Sequence, residues 1–268
     1  MKYPRCIVFL LLTIALIGCT AKSKHKSILI ATIPKSGTVY IQTVLQNCFG
    51  SPIHREPILT PFPDLIVDQP HLDSLMKKGC LVIHHYPPAK ENLEKLSHHF
   101  DRIIVHVRDP RQCLTSMTFH IAKNLALHMQ EEQEYTSVSN LCEIEADFYK
   151  YSLEQKIDWV IDHFYVNCLD WIARWVDFAE NHNELDIMFT SYDDLREHPV
   201  EFFTSILAFN GISTAQFKEK HLPKKEKGKL HFRKGDSQEW RSVLTPEQQK
   251  RVTAMIPQEY FERFAWKR

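Results

Sequence analysis

The sequence predicts an α/β fold, a single domain with a mainly parallel central sheet flanked by helices, behind an N-terminal hydrophobic leader. Three observations carry that prediction. Short β-branched runs recur at 27–33, 80–83, 103–107 and 185–190, with helical patterns between them. The first three runs each end in polar or turn-forming residues: Pro34-Lys35-Ser36-Gly37, His84-His85-Tyr86-Pro87 and Arg108-Asp109-Pro110. Strands that alternate with helices pair in parallel, because a parallel crossover needs a connection about as long as a helix.

The elements follow in order. Lys2 and Arg5 precede an apolar run from Cys6 to Ile17, broken only by Thr13. About a dozen apolar residues is short for a membrane span and suits a signal-peptide core. The run ends Leu16-Ile17-Gly18-Cys19, which resembles the bacterial lipoprotein cleavage box with Cys19 as lipid acceptor. We expect residues 1–21 to be a signal peptide or uncleaved membrane anchor, 22–26 a basic linker, and 27–268 the folded domain. The expected location is membrane-associated or exported, with a cytoplasm-facing domain as the other arrangement.

Ser27 to Ile33 reads as a buried strand stopped by Pro34, and Val39 to Cys48 as the helix after it. Residues 50–79 are proline-rich and read as loops with one short helix. Cys80 to Ile83 is the second strand, Glu91 to His99 a helix, and Ile103 to Val107 the third strand. A helix runs from Arg111 towards Met129. The polar stretch 130–147 precedes a long helix from Ile157 to Asn181, whose Trp159, Phe164, Trp171, Trp175 and Phe178 form a core stripe. Leu185 to Thr190 is the fourth strand. Pro199 opens a helix to Asn210, and Thr245-Pro246-Glu247-Gln248 is a capping-box start for another.

Composition narrows the function. The chain has 268 residues, with 33 Lys and Arg against 33 Asp and Glu. Zero net charge supplies no global field for nucleic acid, so an anion site must be a local cluster. The 7 cysteines are scattered, odd in number and never in a C-x-x-C pair, which excludes a zinc or disulfide framework. We expect no metal.

Ligands of such sheets sit beyond the carboxyl ends of strands. There, Lys35-Ser36-Gly37-Thr38 has the makings of a phosphate cradle: a glycine for close backbone approach, a helix N-terminus and a cation. It is not a Walker A loop, because the lysine precedes the only glycine. Arg108, with Ser116 eight residues on, can share a second phosphate. From Lys218 to Lys234 the chain carries eight Lys and Arg against two acids, and it closes on Arg233-Lys234-Gly235 with Trp240 seven residues after Arg233.

Together these residues resemble the sulfotransferases that use 3′-phosphoadenosine 5′-phosphosulfate. Pro34-Lys35-Ser36-Gly37-Thr38 resembles that family's loop for the 5′-phosphosulfate. Arg108 with Ser116, and Arg233-Lys234-Gly235, resemble its two 3′-phosphate motifs. Tyr192-Asp193-Asp194 resembles its segment near adenine, and Tyr40 stands where an aromatic stacks on that base. The resemblance covers about residues 27–256 and implies a P-loop-like sulfotransferase fold, with this donor and a hydroxyl- or amine-bearing acceptor of unknown class. His85 matches the family's catalytic histidine through His85-x-Pro87, which implies a general base titrating near neutrality. Lys35 would neutralise charge on the leaving phosphate oxygen.

The departures leave alternatives open. Ile83-His84 replaces the family's Lys-Thr, so His84 is a second candidate base, and Glu56 a third. Gln238-Glu239 replaces Gly-Asp before Trp240. A non-catalytic surface lipoprotein that kept the nucleotide fold, and a P-loop nucleotide kinase, are the competing functions.

Overall fold

Strand β1 (Ile28–Thr32) is buried along its whole length, as a β-branched run flanked by helices on both faces must be. In the computed structural model the described residues are 27–50, 60–77, 79–131, 144–145, 147–182, 185–223, 235–236 and 238–268. After β1 come α1 (Thr38–Phe49), α2 (Gln69–Met76), β2 (Leu81–His84), α3 (Lys90–Ser97), β3 (Arg102–Val107) and α4 (Pro110–Glu131). Then follow α5 (Leu153–Val160), a π-helical turn over Ile161–Tyr165, α6 (Val166–Asn181), β4 (Asp186–Ser191), α7 (Tyr192–Glu197) and α8 (Pro199–Phe209). Short helices α9 (Trp240–Val243), α10 (Pro246–Ala254) and α11 (Gln258–Arg263) complete the described chain.

The sheet order is β2-β1-β3-β4, and every pair is parallel. Register places Thr32, His106 and Thr190 on one rung across three strands, at the carboxyl edge. Period-two alternation divides the sheet between two cores. Leu29, Ala31, Ile103 and Val105 face the larger one, with Trp171 and Trp175 of α6. Ile28, Ile30 and Ile104 face the smaller one, with Ile41 and Leu45 of α1 and Phe203 and Ile206 of α8.

The four strands and the main helices lie where the sequence places them. The capping box at the start of α10 forms, with Thr245 Oγ1 accepting from Gln248 N and Gln248 Oε1 from Thr245 N. Three details differ. The single long helix is interrupted by the π turn. His84 closes β2 instead of opening the loop after it. Tyr192-Asp193-Asp194 begins a helix, because the Ser191 hydroxyl accepts from the Asp194 N–H at 3.1 Å and caps it. Among the described residues, no helix is long and apolar enough to cross a membrane. The leader, with Cys19, lies outside the described residues.

Candidate active site

The loop between β1 and α1 is held in a shape that Lys35 resists and Gly37 permits. Lys35 and Gly37 both sit in the left-handed region, at φ 68° and 91°, on either side of Ser36. Only glycine suits position 37. A Cβ there would stand 3.3 Å from Leu195 Cδ2 and 3.4 Å from Tyr192 Cε2, in addition to its φ cost. Ser36 is fully buried, and its hydroxyl donates to the Ile33 carbonyl at 2.7 Å. Arg108 Nη1 donates to the Lys35 carbonyl at 2.6 Å. Across a trans peptide the C=O and N–H point opposite ways. Pulling the Lys35 carbonyl towards Arg108 therefore turns the Ser36 N–H away from it. Successive N–H groups turned out of such a loop make a concavity for an anion, and the first turn of α1 adds its unpaired N–H groups.

His85 stands beside this loop. Its Nδ1 lies 2.7 Å from the Thr32 carbonyl oxygen, which can only accept, so Nδ1 carries the proton and Nε2 the lone pair. The Thr32 hydroxyl lies 3.1 Å from the same Nδ1 and 3.0 Å from the Thr38 hydroxyl. A chain of polar contacts thus runs from the imidazole to the first residue of α1. Behind the ring, Trp171 Nε1 donates to the His85 and Tyr86 carbonyls at 3.1 Å each, and Trp175 Nε1 to the Tyr86 carbonyl at 3.0 Å. Phe62 packs edge-on against the imidazole, with Phe164 of the π turn behind it. Burial pushes the His85 pKa down to about 4, opposed by the Thr32 carbonyl and helped by the charge of Lys35. The expectation of an imidazole titrating near neutrality is corrected: desolvation keeps His85 neutral well below that range. His84 is held lower still, at about 3, by burial and by His85. Its Nδ1 accepts from the His85 backbone N–H at 2.9 Å, so its proton sits on Nε2.

Arg108 connects the loop to the C-terminal part of the chain. Its guanidinium lies 3.8 Å over the Tyr192 ring, and Nη2 donates to the Asp236 carbonyl at 3.3 Å, next to Gly235 at φ 69°. Its Nε is buried without a partner. A buried charged donor left without a partner suits an anion. Lys35, Ser36, Gly37, Thr38, His85, Arg108, Tyr192 and Gly235 are thereby brought together. Ser116 lies two turns into α4, half-buried, and no hydrogen bond joins it to Arg108. Tyr40 packs on Phe203 at a centroid distance of 6.3 Å, and burial raises its pKa. Arg233, Lys234 and Glu56 lie outside the described residues. No cluster of metal-binding side chains occurs among the described residues.

Three residues of the site escape a sequence reading. Thr32 looks like the end of a strand. Trp171 and Trp175 look like core alone, and they are core, yet their indole N–H groups grip the histidine loop. His106 left a signal: it is the one polar residue in Ile103-Ile104-Val105-His106-Val107. It is fully buried, with Nε2 3.0 Å from the Ser36 carbonyl oxygen and Nδ1 2.9 Å from the Thr190 hydroxyl.

Residues 25–263 match the family profile described as the sulfotransferase domain. The chain belongs to the sulfotransferase family. Among curated relatives, cytosolic sulfotransferase 13 of Arabidopsis thaliana is 24% identical over 258 residues, covering 84% of this sulfotransferase and 74% of the plant protein. A mouse sulfotransferase complexed with PAP shares the fold at TM-score 0.55 and 18% identity, over 91% of this chain and 85% of the mouse chain. A retinol dehydratase in complex with androsterone and inactive cofactor PAP shares it at TM-score 0.53 and 14% identity, over 87% and 80% of the two chains. The α/β architecture expected from the sequence is that of these sulfotransferase folds.

Proposed function

We propose that this sulfotransferase uses 3′-phosphoadenosine 5′-phosphosulfate as donor, with His85 as the general base on an acceptor hydroxyl or amine. One observation carries the reading most: His85, protonated on Nδ1 and free at Nε2, is tied through Thr32 to Thr38 of the phosphate-type loop. One chain of contacts thereby runs from the base to the anion cradle. PAP, the nucleotide bound by structural neighbours, is what such a donor becomes once its sulfuryl group has left.

The donor supplies an activated sulfuryl group whose transfer passes through a loose, charge-separated transition state, as phosphoryl transfer does. Positioning and charge stabilisation then do most of the catalytic work. Ser36, Gly37 and Thr38 turn backbone N–H groups to the 5′ side. Lys35 sets a cation beside the oxygen that gains charge. Arg108, Ser116, Arg233, Lys234 and Gly235 hold the 3′-phosphate, and Tyr192 backs Arg108. Tyr40 flanks the adenine. His85 Nε2 takes the acceptor proton, while the Thr32 carbonyl stabilises the imidazolium through Nδ1–H. Residues 1–21 place the enzyme at a membrane.

Calorimetry with nucleotides tests the reading. Two separate cation clusters require the 3′-phosphate, and hydrogen bonds to charged groups contribute about 1.5–3 kcal/mol each. Adenosine 3′,5′-bisphosphate should bind roughly tenfold to over a hundredfold tighter than adenosine 5′-phosphate. Equal affinity sinks the assignment. Tighter binding of ATP than of the bisphosphate would favour a kinase, and bisphosphate binding with no transfer to any acceptor would favour a non-catalytic relative. Protein starting at Lys22 should bind the bisphosphate as the full chain does and leave the membrane fraction.

A further inference from the structure

His106 occupies a place that packing alone would give to valine or isoleucine. A buried polar ring in a central strand is costly unless both nitrogens are satisfied. Here both are, and one of the partners is the donor loop. The Ser36 carbonyl can only accept, so the proton is on Nε2, and Nδ1 accepts from the Thr190 hydroxyl. Phe202 closes the ring from the side, edge-on at 5.4 Å.

The consequence lies in the next peptide group. With the Ser36 carbonyl drawn inward to His106, the Gly37 N–H must face the opposite way, out of the protein. Arg108 does the same for the preceding peptide through the Lys35 carbonyl. The two grips come from residues two apart at the end of β3. Their braces, Thr190 behind His106 and Tyr192 behind Arg108, are likewise two apart at the end of β4. The left-handed Lys35, which costs energy to hold, is over-determined from outside the loop.

We propose that His106 is a positioning residue for the sulfuryl donor: its Nε2–H holds the Ser36 carbonyl inward, so that the Gly37 N–H is set in advance towards the donor's 5′ group. This rests on the reading that the loop receives the 5′-phosphosulfate. The Thr190 hydroxyl, by donating to Nδ1, keeps the proton on Nε2, where the grip needs it. Burial keeps the ring neutral, with its pKa near 4, although Asp194 and Arg108 act on it with opposite charges.

The test separates positioning from simple structural support by comparing two nucleotides. His106→Leu removes the grip and keeps the volume apolar. It should weaken adenosine 3′,5′-bisphosphate by about tenfold to a hundredfold, since a preset donor to a charged group is lost. Adenosine 3′-phosphate, which lacks the 5′ group, should bind as it does to wild type. His106→Gln, whose amide can donate from a similar reach, should recover most of the lost affinity. No loss in the Leu variant overturns the proposal, as does an equal loss for both nucleotides or a Gln variant no better than Leu. If the Leu variant does not fold, Thr190→Val carries the test. It should show a smaller loss confined to the bisphosphate, and an absent or unselective loss overturns the proposal. Failure of wild type to bind the bisphosphate would sink the functional reading and this inference with it. Normal wild-type binding with unchanged variants sinks this inference alone.

Discussion

His85 Nδ1 lies 2.7 Å from the carbonyl oxygen of Thr32, across the junction of two neighbouring strands. That contact fixes the tautomer, and the tautomer fixes which nitrogen can take a proton. His85→Ala should therefore lower kcat by roughly 10²–10⁴-fold, the usual worth of a general base. Affinity for the bisphosphate should change little, because no backbone N–H of the loop depends on the ring. His84→Ala tests the rival base. Its Nδ1 already accepts from the His85 N–H, so the side chain supports its neighbour, and a moderate loss is expected. Near-normal turnover in His85→Ala, with a collapse in His84→Ala or Glu56→Ala, reverses the assignment.

Trp171→Phe probes the support behind the base. The phenyl ring keeps most of the buried area but cannot donate to the His85 carbonyl, while Trp175 still serves the carbonyl of Tyr86. A buried carbonyl left unpaired costs about 1–3 kcal/mol of stability. Urea unfolding should show that loss. Initial-rate kinetics should show kcat reduced by roughly tenfold, in line with small misplacements of catalytic groups, and donor KM unchanged. A raised donor KM with normal kcat would mean that α6 supports the nucleotide and not the histidine.

The sheet, its flanking helices and the gathering of the candidate residues at strand ends were legible because they follow from local signals. Strand runs such as Ile28 to Thr32 are β-branched and continuous, and Pro34 and Arg108 mark where β1 and β3 stop. The π turn at Ile161–Tyr165 was not legible, since the aromatic stripe passes through it without a break in apolar spacing. Nor was the division of labour around the loop. Whether Arg108 faces an anion or a neighbouring carbonyl depends on where Lys35 and Asp236 come to rest, which is a tertiary fact. His106 was legible as an anomaly in an apolar strand but not as a contact, because Ser36 is 70 residues away in the chain.

Acid should destabilise the fold through the same histidines. His84, His85 and His106 have folded pKa values lowered to about 3, 4 and 4, mainly by burial, against 6.5 for an exposed histidine. Between those values the unfolded chain binds protons that the folded chain does not, so stability rises with pH there and is lost as pH falls from about 6.5 towards 4. Each such histidine contributes a slope of up to about 1.4 kcal/mol per pH unit. Denaturant unfolding at pH 7 and pH 5 should show the drop, and His106→Gln should flatten it by removing one site. A pH-independent stability across that window would mean that these rings are hydrated and titrate normally.

Gly37→Ala separates the cost of backbone shape from its use. At φ 91° a Cβ is strained, and it meets Leu195 and Tyr192 at 3.3–3.4 Å, so the loop must widen or Tyr192 must shift. Strain of this kind costs on the order of 1–3 kcal/mol. Gly50 supplies the control. It closes α1 at φ 63°, its N–H donates to the Gln46 carbonyl, and a Cβ there would meet nothing within 4 Å. Gly50→Ala should thus cost about 1 kcal/mol of stability and leave nucleotide binding alone. Gly37→Ala should cost a similar amount or more, and should also weaken the bisphosphate by at least about tenfold, because one displaced N–H donor to a charged group is worth that much. Moving Tyr192 would loosen Arg108 as well, so adenosine 3′-phosphate should weaken to a lesser degree. If both alanine variants lose stability alike and both bind the bisphosphate as wild type does, the left-handed turn at 37 serves only to start the helix, and the anion cradle must be sought elsewhere.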